Sequence, residues 1–282
     1  MNVDQVLNFA FPDGEITYSQ RDVMLYALGL GLGLGRNDLQ FVYEKDLQVL
    51  PPFAMVAGHP GSWMATPALG VDYVRLLHAE QSLEVYGPLP VNGQLKPRYR
   101  VVGIADKGAD KGALVYIEKV LSDAETGADL ARVVSGLFCR GDGGCGNHGT
   151  APDAPQPLPD RAPDLSAVRV VDPRAALIYR LSGDYNPLHA DPEVAAAAGY
   201  DVPILHGLCT MGIAGHGLLM EVAKGDTARF GGFACRFTRP VFPGDTLRTD
   251  IWLEPGGARF AVTAENRDQR VLDRGSFTLA GV

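Results

Sequence analysis

Long apolar runs are missing from this sequence. No window approaches the roughly 18 apolar residues that a bilayer-spanning helix needs, so nothing in it reads as a membrane span. Basic residues are outnumbered: 25 Lys and Arg face 33 Asp and Glu, a formal net charge of −8 at pH 7. That balance offers no general attraction to nucleic acid or to an anionic membrane surface, and neither is expected as a partner. A phosphate-bearing ligand would need a local cluster of cations. Cysteine is scarce, with Cys139, Cys145, Cys209 and Cys235 the four in the chain. None forms a CxxC pair, so the spacing of a thiolate metal site is absent, and the free thiols of a reducing cytoplasm are the expected state. The opening MNVDQVLNFAFPDG has no basic region ahead of an apolar stretch, unlike a secretory leader. The closing LAGV matches neither a peroxisomal nor an ER-retention signal, and a cytoplasmic protein is expected.

What is present is an ordinary globular composition, 46% hydrophobic and 21% charged over 282 residues. That length sits near the size at which single cores stop growing, so two half-sized units packed together are expected. The stretch GDGGCGNHGTAPDAPQPLPDRAPD is dense in Gly, Pro and Asp and cannot build a core. It divides the chain into a first unit over residues 1–142, a linker over 143–164 and a second unit over 165–282. In the second unit Phe233, Cys235 and Phe237 alternate onto one strand face, as do Leu247, Thr249, Ile251 and Leu253, with Pro/Gly turns between strands. The phrase PLPVNGQL in the first unit echoes RPVFPGDTL in the second and suggests a duplicated unit. The stretch ILHGLCTMGIAGHGLLMEVAK lacks a polar stripe until its last turn, so a helix there must be buried on most faces. A curved antiparallel sheet wrapped around it, the hotdog arrangement, would satisfy that burial. The first unit's counterpart, MATPALGVDYVRLL, is interrupted by Pro67 and Gly70, which would leave room beside Leu69 for an acyl tail.

The chemistry concentrates in YRLSGDYNPLHADPEVAAAAGYDVPILHGL. SGDYNP favours a turn, so Asp184, Asn186 and His189 lie on a loop. Asp191 suits an N-cap and Pro192 a first helical position, which marks a helix start just after His189. An Asp and a His five residues apart across a turn can converge on one water molecule and exchange a proton with it in either direction. Asn186 can donate and accept, orienting that water or the carboxylate. Gly207, at the start of the buried helix, has a backbone N–H without an intrahelical partner and room for close approach. His206 reads as a helix-start residue without a chemical task, and His216 as a satisfied core histidine.

The run SGDYNPLH with HADPEVAAAAGYDVPILHGL resembles the MaoC-like dehydratase family, in the form of the type 2 enoyl-CoA hydratase domain of peroxisomal multifunctional beta-oxidation enzymes. LLHAEQSLEVYGPLP, DKG and CRFTRPVFPGDTL extend the likeness over most of the chain. The resemblance implies an α+β double hotdog, a homodimer, and reversible hydration of trans-2-enoyl-CoA to (3R)-3-hydroxyacyl-CoA. It implies no metal or redox cofactor, coenzyme A being part of the substrate. It places catalysis on Asp184 and His189 with Asn186. It assigns substrate contacts to His78, Ala79, Lys107, Tyr185, Pro187, Leu188, Gly207 and Phe237. This chain departs from the family in reading HAEQ where relatives read HGEQ, and GGCGN where they read GGFGG. Lys107, Arg236 and Arg239 are the candidate phosphate cations, followed by Arg98 and Arg100. Two alternatives remain on the same fold: dehydration of 3-hydroxyacyl groups on acyl carrier protein, and a noncatalytic acyl-CoA-binding hotdog subunit. Thioester hydrolysis lacks an evident nucleophile elbow.

Overall fold

The strand patterns pair into one antiparallel sheet that runs through both halves of the molecule. A computed structural model describes residues 1–281. The strands are β1 (Ile16–Tyr18), β2 (Leu76–Val85), β3 (Gly93–Asp106), β4 (Ala113–Asp123), β5 (Asp129–Cys139), β6 (His148–Gly149), β7 (Leu165–Val170), β8 (Phe230–Phe237), β9 (Thr246–Glu254), β10 (Gly257–Ala264) and β11 (Gln269–Leu279). Their order is β1-β3-β4-β5-β2-β8-β11-β10-β9-β7, with β6 paired to β3 off that path. Read inward from either edge the two halves repeat each other: the first strand of the half, then its third, fourth and fifth, with its second strand, the one that follows the long connection, at the centre. The halves meet where β2 pairs antiparallel with β8, placing Glu80 opposite Arg236 and Gln81 opposite Cys235. Two hotdog units are thus joined edge to edge into a double hotdog, α+β in class.

The long connection differs between the halves, and this difference positions the site. In the second half it carries α5 (Ala175–Tyr179), α6 (Pro192–Ala197) and the 15-residue α7 (Gly207–Glu221), in which every residue from Cys209 to Leu219 is buried. A Cβ at Gly212 would lie 2.8 Å from the Tyr26 hydroxyl and 2.9 Å from a Leu30 methyl. Glycine there admits another helix against the α7 backbone, at a helix-propensity cost of about 1 kcal/mol relative to alanine. That helix is α2 (Gln20–Gly29), which belongs to the first half. The rest of the first connection is broken into α3 (Leu39–Val42), α4 (Phe53–Val56) and single turns, following the N-terminal α1 (Val3–Leu7). The main core therefore mixes both halves around α7, taking Tyr26, Phe41 and Phe53 from one and Tyr179, Phe233 and Phe260 from the other.

Three sequence expectations are modified. Leu69 is 1% exposed and packs with Val6, Trp63, Met64 and Ile104 in a second core, so the room expected beside it is filled by side chains. Leu253 does not share the buried face of Leu247, Thr249 and Ile251, because it lies at the solvent end of β9. The linker is not a free spacer. Its His148–Gly149 strand pairs with Ile104 and Gly103, and Arg259 and Arg274 donate to the carbonyls of Gln156 and Pro155. All four cysteines are free.

Candidate active site

The turn 183–189 is held by its own side chains. The Asn186 carboxamide oxygen accepts from the Leu188 N–H at 3.1 Å, starting the 3-10 turn Pro187–His189, and the Asn186 N–H donates to Asp184 Oδ1 at 3.2 Å. Asn186 therefore shapes the loop and holds the carboxylate through its backbone. Asp191 caps α6 by accepting from the Glu193 N–H at 2.9 Å. The chain then folds back so that residues 204–207 pass under the turn. His189 Nδ1 lies 2.9 Å from the Ile204 carbonyl, and His206 Nε2 lies 3.1 Å from the Asp184 carbonyl. A carbonyl only accepts, so these nitrogens carry the protons, and His189 Nε2 and His206 Nδ1 keep bare lone pairs. A carboxylate oxygen of Asp184 and one ring nitrogen each of His189 and His206 lie within 4.8 Å of one another. The two imidazoles stack at 3.8 Å between centroids and 29° between planes.

Burial sets the protonation of this cluster. Desolvation pushes His189 below the ordinary histidine range, against the opposing pull of its bond to Ile204 and of the Asp184 charge. Desolvation also lowers His206, and the neighbouring His189 adds to that. Burial thus favours the neutral form of both rings. The opposite wall is made by His78 on β2 and Phe237 on β8, whose rings are 4.9 Å apart. His78 is lowered to about 4 by burial, and its Nε2 has no partner. A Cβ on Gly207 would come within 3.2 Å of the Phe237 ring, so glycine lets that ring rest on the first turn of α7. The site thus has two acceptors, Asp184 and His189 Nε2, near the start of α7, whose Gly207 and Leu208 amides have no partner among the described residues.

The second half of this frame, residues 154–272, matches the MaoC-like domain model, and residues 16–141 match the MFE-2 hydratase 2 N-terminal domain model. The chain is 42% identical to the 3-hydroxyacyl-thioester dehydratase Y of Mycobacterium tuberculosis, over 92% of each chain. It is 36% identical to the peroxisomal enoyl-CoA hydratase 2 of Arabidopsis thaliana, over 96% of this chain and 93% of that one. Its structure superposes on that of a MaoC-like dehydratase from Phytophthora capsici with a TM-score of 0.87 at 35% identity, covering 99% of both chains.

The chain belongs to the MaoC-like dehydratase family.

Of the residues that the family likeness nominates, the fold brings Asp184, His189, Gly207, Phe237 and His78 together, and Leu188 is half-buried. Asn186, Pro187 and Tyr185 lie on the exposed rim, and the Tyr185 ring sits 4.9 Å from the Arg180 guanidinium. Ala79, the departure from the family's glycine, is the extra residue of a β-bulge: His78 pairs with Leu137 and Glu80 with Gly136, leaving Ala79 between them. Its side chain packs on the far face of the sheet with Tyr116 and Phe138, so only its backbone can meet a ligand. The bulge is what re-aims His78. Lys107 is exposed on the β3–β4 hairpin. It lies three strand spacings across the sheet from His78, roughly 14 Å, and three residues further along, because His78 is in register with Ile104. That distance can serve a distal phosphate but not the thioester.

Three of the nominated cations are already engaged. Arg236 donates to Glu80 at 2.6 Å, while Arg98 pairs with Asp129 and Arg100 with Glu118. Lys107 and Arg239 have no carboxylate partner among the described residues. Sequence reasoning missed three contributors. His206, read as a helix start only, holds the Asp184 carbonyl. His59 has an exposed side chain, yet the surrounding protein desolvates it and lowers its pKa while the Asp184 charge pulls the other way. Lys119 fixes the backbone just before His59, donating to the carbonyls of Ala54, Met55 and Ala57 at 2.9, 3.0 and 2.6 Å. For His206 the adjacency to Gly207 was the available signal; His59 and Lys119 are distant in sequence and carried none.

Proposed function

We propose that this protein hydrates trans-2-enoyl-CoA thioesters to (3R)-3-hydroxyacyl-CoA and catalyses the reverse dehydration. The observation that carries the reading is the convergence of the Asp184 carboxylate and His189 beside the open start of α7. A water between them donates a hydrogen bond to each. Its oxygen bonds to carbon 3 as one of the pair takes a proton, and negative charge moves onto the thioester oxygen, where the Gly207 N–H receives it. The proton then passes to carbon 2, so water is consumed and the pair is restored. The R configuration rests on the likeness to enoyl-CoA hydratase 2.

The reading uses no metal or redox cofactor. Asp184, His189 and His206 have the composition of a metal site, but stacked rings aim their lone pairs in nearly parallel planes, which suits a tetrahedral ion poorly. A cytoplasmic homodimer is part of the proposal. The edge strand β7 exposes Val168 and Val170, and α5 exposes Leu177, which a second copy would cover. The deciding experiment follows crotonyl-CoA and decenoyl-CoA by loss of enoyl absorbance, with chiral analysis of the product. Hydration to the R product is expected. Failure to hydrate either substrate, or an S product, would overturn the reading.

A further inference from the structure

We propose that His206 is the positioning residue of the Asp184–His189 pair, fixing the turn that bears the carboxylate through one hydrogen bond and the plane of His189 through a ring stack. This rests on the hydratase reading. His206 immediately precedes α7, where a side chain would ordinarily cap the helix, yet it makes no capping bond. Its ring turns back so that Nε2–H reaches the Asp184 carbonyl at 3.1 Å. It is 1% exposed and packed between His189 on one side and Tyr179, at 5.1 Å and 49°, on the other. His189 is thereby held at two points, its Nδ1–H by Ile204 and its face by His206, which leaves Nε2 one direction to aim.

The second observation is a cost. Nδ1 of His206 is buried with no hydrogen-bond partner. An unpaired buried acceptor lowers stability, and a residue kept only to fill this space would be apolar. What imidazole supplies that Leu or Phe cannot is the single donor to Asp184. Burial opposes a charge on the ring, and so do His189 and Arg180; together they outweigh Asp184, which favours one, and the ring stays neutral. A neutral neighbour lets His189 take up a proton during turnover without meeting a like charge.

The test compares His206→Gln, His206→Asn and His206→Phe with the wild type. The Gln amide can stand where Nε2 stands, the shorter Asn amide falls at Nδ1 and misses the carbonyl, and Phe keeps the stack without the donor. With crotonyl-CoA, Asn and Phe should lower kcat about ten- to a hundredfold with KM changed less than about threefold, and Gln should recover roughly tenfold over Asn. Equal kcat in Gln and Asn, or near-wild-type kcat in Phe, would overturn the proposal. NMR titration of the His189 ring needs no turnover. Phe should preserve the wild type's depressed pKa and Asn should raise it, whereas one value in the wild type, Phe and Asn would also overturn the proposal. A wild type that titrates this way but does not hydrate crotonyl-CoA would refute the hydratase reading and leave the positioning role standing. If Phe does not fold, the Gln and Asn comparison decides alone.

Discussion

At the scale of single residues, the site depends on which atoms keep lone pairs. The Ile204 carbonyl fixes the proton of His189 on Nδ1, which makes Nε2 the acceptor beside Asp184. On the proposed mechanism, removing either acceptor removes proton transfer. Asp184→Asn and His189→Ala are each expected to lower kcat by about 100-fold or more, read as enoyl absorbance loss. The direction of the His189 shift also fixes a pH dependence. In the proposed mechanism the neutral His189 ring is one of the two proton acceptors, and burial lowers its pKa, so that form persists below the ordinary histidine value of about 6.5. The acid limb of kcat/KM should therefore fall below that value. A limb centred at or above it would mean that another group titrates.

At the scale of elements, α7 trades intrinsic stability for contact. Its Gly212 would gain helix propensity as alanine, but the new Cβ would meet the rigid Tyr26 hydroxyl and Leu30 across the interface with α2. Gly212→Ala is expected to be net destabilising by about 1–3 kcal/mol in denaturant titration, the range for overpacking a filled core. The same helix is tied to the first half by a buried polar group. Arg169 donates to His216 Nδ1, and Asp38 lies 3.3 Å from His216 Nε2 and 3.7 Å from Arg169. His216 is thus part of a charged cluster, more than a satisfied core histidine. Asp38→Ala strands the partly buried Arg169 charge and should cost on the order of 3 kcal/mol, measured as a fall in unfolding free energy. Leu69 is a packing residue in this fold. Leu69→Trp should lower stability whatever the substrate, with thermal melting as the check, and should not act as a chain-length filter.

At the scale of the whole molecule, the two hotdog units share one sheet and one core, and both depend on neutral buried histidines. Burial lowers His78 to about 4 and also lowers His189, His206 and His216. The unfolded chain binds these protons at about 6.5, so below that pH it holds more protons than the folded chain, and stability falls as pH drops. Melting temperature should decline from neutral pH through pH 6 to 5, continuing toward the folded values. A melting temperature unchanged across that window would show that these rings are not held neutral by the fold.

The sequence by itself determined what is local or periodic: the strand alternation, the buried helix, the Asp191 cap, and the turn that presents Asp184 and His189. These follow from side-chain spacing and backbone preference within a few residues. Tertiary structure decided what depends on distant segments meeting. It filled the space at Leu69, set Ala79 in a bulge with its side chain turned away, engaged Arg98, Arg100 and Arg236 with carboxylates on other strands, and turned His206 onto the Asp184 carbonyl. None of these could be read along the chain, because each is a contact energy between residues whose proximity exists only after the sheet has closed around α7.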